Sequence, residues 1–117
     1  MKKMLFQCGL LLAFAWCAVV APALGETGAD YRSRGAKLFT DSGLGTNGKN
    51  CAACHQDGSA WAGKPRFPKV GLGGMHTLDQ AIQICVVNAL GGKPLAWDDE
   101  RLTALAVFVD AAYAPKK

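Results

Sequence analysis

Hydrophobic and polar positions change rhythm several times along this 117-residue chain. Residues 4–20 are an apolar run behind Lys2 and Lys3, followed by the small-residue stretch Ala21-Pro22-Ala23-Leu24-Gly25. Charge, then apolar run, then small residues predicts an export leader over residues 1–25 and a mature domain over 26–117. The run is shorter than the ~20 residues a spanning helix needs and carries Gln7, so the chain meets a membrane only if this leader is retained. Cys8 and Cys17 lie within it, and Trp16 before Cys17 does not fit a lipoprotein cleavage box.

Beyond the leader the period becomes helical. Residues 30–40 carry an imperfect apolar stripe (Tyr31, Ala36, Leu38, Phe39) with Asp30 as candidate N-cap. Gly35 inside that helix costs stability, which a close approach by another helix would explain. Residues 41–50 are turn formers throughout and predict a loop. Across 56–74, Gly58, Gly63, Pro65, Pro68, Gly71, Gly73 and Gly74 exclude long regular structure. Thr77 with Gln80 reads as a capping box opening a helix over 77–90, its inner face being Leu78, Ala81, Ile82, Cys85 and Ala89. Gly91-Gly92 ends it. A last helix over 99–113 has Asp98 as expected N-cap, a staple between Trp97 and Leu102, and Leu102, Leu105, Ala106, Val109 and Tyr113 on one side. The pattern predicts an all-α domain of about three to four helices with long Gly/Pro-rich loops.

Between the first loop and the glycine-rich segment stands Cys51-Ala52-Ala53-Cys54-His55. C-x-x-C-H is the attachment sequence of a c-type haem: each thiol forms a thioether to one porphyrin vinyl group, and the histidine becomes the proximal iron ligand. A zinc ribbon requires a second cysteine pair and a thioredoxin-like dithiol requires a βαβ context, and the chain has neither pattern. One covalent haem c is therefore the expected cofactor, with the helices wrapped around it. In so short a domain the macrocycle supplies core area that side chains would otherwise provide, so the apo-protein is expected to fold poorly. Trp61, Lys64 and Arg66 combine an indole N–H with two cations and suit the haem propionates, or else form a solvated loop face. A carbonyl beside Pro68 is placed to accept the Nδ1 proton of His55.

The sixth ligand has two main candidates. Met75 is the methionine remaining beyond the leader, and Cys85 is the cysteine left over once two are spent on haem. A thioether raises the reduction potential and a thiolate lowers it. Cys85 also reads as a small buried hydrophobe on an apolar face. His76 and Lys93 are further candidates.

Charge changes little. The chain holds 13 basic and 9 acidic residues, and Lys2 and Lys3 leave with the leader. With no basic run interleaved with aromatics, nucleic acid is not an expected partner.

Helix, C-x-x-C-H, glycine-rich loop, second helix and capped terminal helix together resemble a class I cytochrome c across nearly the whole mature chain. Gly35 and Phe39 resemble that family's first helix, residues 105–109 its terminal helix, and Pro68 the proline whose carbonyl holds the proximal histidine. Where many members carry a methionine ligand, this chain reads Gly91-Gly92-Lys93-Pro94-Leu95. Residues 77–85 running into Gly92-Lys93-Pro94-Leu95, together with Arg66-Phe67-Pro68 and Leu44-Gly45-Thr46-Asn47-Gly48, are similar to dihaem thiosulfate dehydrogenases and related cytochromes of sulfur oxidation. There the cysteine matching Cys85 is the axial thiolate of a catalytic haem, and a second haem is present in the chain or a partner subunit. This chain has a single C-x-x-C-H. The resemblance implies a periplasmic location, since such haem is attached outside the cytoplasm, and an electron carrier that meets other redox proteins through transient contacts. Two further readings stand beside it: an enzyme or subunit of sulfur-compound oxidation with Cys85-ligated haem, and a haem-based small-ligand sensor.

Overall fold

The computed structural model describes residues 25–71 and 73–117, so the expected leader lies, but for its last residue, outside the described residues. Helix α1 (Gly28–Phe39) starts earlier than the apolar stripe indicates, because Thr27 rather than Asp30 caps it. The Thr27 hydroxyl accepts the Asp30 N–H at 3.3 Å and the Asp30 carboxylate accepts the Thr27 N–H at 2.8 Å. Asp30 thus works from inside the first turn, as the acidic half of a capping box.

A one-turn helix, α2 (Ala52–His55), carries the cysteine–histidine motif. Before it, the predicted loop holds a single 3₁₀ turn (Ser42–Leu44), capped by the Asp41 carboxylate, which accepts the Gly43 N–H at 2.8 Å. After it, the glycine- and proline-rich stretch is mostly irregular, with a 3₁₀ turn at Ser59–Trp61. It also forms a hairpin that hydrophobic periodicity does not announce: β1 (Lys69–Gly71) pairs antiparallel with β2 (Gly74–His76), Val70 facing Met75. Glycines exclude long strands but permit a short pair closed by Gly73 at φ 90°.

Helix α3 (Leu78–Ile84) begins on the expected capping box, the Thr77 N–H donating to Gln80 Oε1 at 2.9 Å. The expected single helix to Leu90 changes its bonding at Cys85. Residues Cys85–Ala89 form a π-helical segment, with the Leu90 N–H reaching back to the Cys85 carbonyl at 3.1 Å. Helix α4 (Glu100–Ala112) is capped by Asp99, one residue later than expected, because the Asp99 carboxylate accepts both the Arg101 N–H and its guanidinium. That shift breaks the spacing of the expected staple, and Trp97 is 69% exposed.

The core lies where α4 meets α1 and α3. Phe39, Val86, Leu102, Leu105 and Val109 are buried there, and Phe39 meets Phe108 at 5.1 Å between ring centroids. Gly35 makes the close approach its sequence position implied: a Cβ there would overlap the Ala104 carbonyl and the Phe108 side chain. Ala104 is wholly buried as a result. The architecture is all-α apart from the small hairpin, as the pattern predicts.

Candidate functional site

Helix α2 is tied to its neighbours by side-chain hydrogen bonds. Asn50 donates through Nδ2 to the Thr40 carbonyl at 2.8 Å and accepts the Ala53 N–H on Oδ1 at 3.0 Å, tying the motif to the end of α1. The chain leaves α2 sharply at Gln56, a non-glycine residue at φ 51°. Beyond it the Trp61 ring lies 4.8 Å from the His55 ring and stacks on Tyr113 at 5.6 Å with 3° between planes. Lys69 closes this cluster, its ammonium donating to the Tyr113 hydroxyl at 2.7 Å while sitting over the Phe67 and Tyr113 rings.

These elements line an open cavity of about 230 Å³. Cys51, Cys54 and His55 line it from the motif, and Phe39, Leu105 and Val109 from α1 and α4. The α3–π segment contributes Leu78, Ala81, Ile82, Cys85 and Ala89, which is the inner face read from the sequence. Burial pushes the Cys51 thiol up, helped by the Cys85 and Cys54 sulfurs, and burial pushes the Cys85 thiol up as well, helped by Cys54. An apolar wall disfavours a free thiolate, and a positive partner such as a metal centre favours it.

The donor set fits haem c. Two thiols with attachment spacing, an imidazole and a third thiol line one apolar cavity, and a large flat macrocycle needs such a wall to leave water. Among the described residues no group of His, Cys, Asp or Glu converges tightly enough to chelate a bare metal ion.

The other sequence candidates lie away from this wall. Lys64 is exposed, and the Arg66 guanidinium holds the Asp110 carboxylate at 2.8 Å. Pro68 is exposed, and Met75 is 63% exposed on β2. Lys93 is exposed, whereas the Nε2 atom of His76 is buried without a hydrogen-bond partner. None of the six lines the cavity. Lys49, absent from the sequence candidates, is the one Lys or Arg lining the cavity among the described residues, and its place two residues before Cys51 is the signal for it. Gln83 is absent from those candidates too. This buried amide donates to the Leu95 carbonyl and accepts the Leu95 N–H at 2.8 Å, pinning the segment after Gly92 to α3. A glutamine inside an otherwise apolar helix was the available sign.

Comparison with known proteins agrees with this geometry. No curated protein matches the chain. Among solved structures, the crystal structure of SoxXA from P. pantotrophus superimposes with a TM-score of 0.63 at 21% identity, covering 70% of this chain and 32% of that one. This chain thus spans about a third of that relative, and the likeness establishes the small cytochrome c fold. The SoxA/TsdA cytochrome c domain family matches residues 34–113, a span that contains every residue lining the cavity. That match, over more than half of the chain, makes the protein a haem-binding c-type cytochrome belonging to the SoxA/TsdA cytochrome c domain family.

Proposed function

We propose that this chain is an exported, periplasmic monohaem cytochrome that passes single electrons in the oxidation of sulfur compounds. One haem c is tethered through Cys51 and Cys54, with His55 and Cys85 as its iron ligands. The observation that carries this reading is that Cys85 lines the same cavity as the attachment motif, while Met75 stands exposed on β2. Haem iron supplies reversible one-electron chemistry between its ferric and ferrous states. The residues of the chain do the rest. Cys51 and Cys54 anchor, His55 is steadied by its contact with Trp61, and Leu78, Ile82, Leu105 and Val109 exclude water from the cavity. Other redox proteins are met through small, transient contacts near the cavity mouth.

A second reading, in which a sulfur anion is oxidised at the site, draws on Lys49, the cation lining the same cavity as Cys85. Mass spectrometry of the exported product tests the foundation: one added haem is expected, and none would overturn both readings. Thiosulfate with an artificial electron acceptor then separates them. Reversible reduction without turnover of thiosulfate is expected of the carrier, and sustained turnover would replace it with the catalytic reading.

A further inference from the structure

The π-helical segment ends against the loop that leads into the attachment motif, and one side chain bridges the two. Asn47 Nδ2 donates to the Ala89 carbonyl at 2.9 Å, at the last residue of the Cys85 segment. Its Oδ1 accepts the Lys49 N–H at 3.0 Å, two residues before Cys51. Next to it Thr46 donates through its N–H to the Leu90 carbonyl at 3.0 Å and through its hydroxyl to the Gly91 carbonyl at 2.7 Å. These bonds answer the need of a helix end, where the final carbonyls have no partner within the helix and must find one outside it. Gly45 and Gly92 permit the contact. A Cβ on Gly45 would strike Leu90, and one on Gly92 would crowd the Leu44 carbonyl.

We propose that Asn47 is a positioning residue that sets the separation between the attachment turn and the Cys85 sulfur, one amide tying the two segments together. This rests on the reading that Cys85 ligates the iron. Asn47 itself does not line the cavity. It acts by fixing the end of the segment that begins at Cys85, and it does so from the strand of chain that leads directly to Cys51. Its two bonds are chemically separable. An aspartate keeps the acceptor for Lys49 and loses the donor to Ala89, whereas alanine loses both.

The test compares holoprotein carrying Asn47→Asp, Asn47→Ala or Cys85→Ala with wild type, by electron paramagnetic resonance of the ferric state and by the rate at which added imidazole displaces the sulfur ligand. Asn47→Asp is expected to split or broaden the thiolate signal and to speed displacement at least tenfold, with Asn47→Ala equal or larger. If Cys85→Ala abolishes the thiolate signal while both Asn47 variants keep the wild-type signal and rate, the positioning role is overturned and the ligand assignment survives. A variant that melts earlier yet keeps the wild-type signal and rate overturns it equally. If Cys85→Ala leaves the signal unchanged, the ligand assignment falls and the positioning role falls with it. Should Asn47→Ala fail to mature, Asn47→Asp decides by the same two measurements.

Discussion

Gly35 of α1 lies directly against the backbone carbonyl of Ala104 in α4, so close that a methyl group in place of its hydrogen would overlap that oxygen and the Cβ of Phe108. The contact sets how α1 crosses α4, and through Phe39 and Leu105 that crossing shapes the cavity wall. Gly35→Ala is therefore expected to destabilise the holoprotein by about 1–3 kcal/mol, as overpacking of a filled interface does, despite the better helix propensity of alanine. Denaturant unfolding followed by haem absorbance reads this. An unchanged or raised midpoint would show that the helices can separate at no cost.

Gln83 and Leu95 form a closed pair inside the protein, amide against peptide. Gln83→Leu keeps the bulk and removes both partners, leaving the Leu95 N–H and carbonyl unpaired in a buried place. A loss of about 1–3 kcal/mol follows from the cost of such orphaned groups. Hydrogen exchange at the Leu95 amide is expected to accelerate in the same variant, and wild-type protection there would refute the role.

The two sulfur candidates separate spectroscopically. Cys85→Ala is expected to remove the thiolate signature from the ferric spectrum, and Cys85→Met to raise the midpoint potential, because a thioether replaces a thiolate. Met75→Ala, made on the exposed face of β2, is expected to leave both unchanged. The opposite pattern in electrochemical titration would hand the ligand role to Met75.

Asp99 gives the stability a defined dependence on acid. Its carboxylate accepts the Arg101 guanidinium and N–H, and these bonds hold its pKa at about 2, against an ordinary 3.8. A carboxyl whose folded-state value lies below its unfolded value adds stability that is present above the ordinary value and lost as the pH falls through the lowered one. Asp99→Asn should therefore lower the melting temperature near neutral pH, with the gap to wild type narrowing as the pH falls from about 4 to about 2. A gap that stays constant across that window would show that the charge plays no part.

Arg66 and Lys49 are cations in different surroundings. A cation in a glycine-rich loop suits a propionate, but the Arg66 guanidinium has a carboxylate from α4 within reach, 44 positions along the chain. Lys49 has no such partner among the described ion pairs and lines the cavity instead. The two differ in what the fold brings near them. Both half-exposed groups of the Arg66–Asp110 pair are wet, so the pair itself adds little stability.

What the sequence determined by itself was local. The attachment motif, the capping box of Thr77 and Gln80, the loop character of residues 41–50 and the inner face from Leu78 to Ala89 each depend on residues a few positions apart, whose chemistry acts within one turn. Even the errors there were of one or a few residues, as with Thr27 for Asp30 and Asp99 for Asp98, since neighbouring polar side chains compete for the same orphaned N–H groups. Tertiary structure decided the rest. It brought Cys85 into the cavity that Cys51, Cys54 and His55 line and left Met75 outside it, gave Gln83 its partner at Leu95, and joined Asn47 to the end of the Cys85 segment. These outcomes depend on how helices cross and loops close over dozens of residues. No window of sequence encodes that separately from the whole.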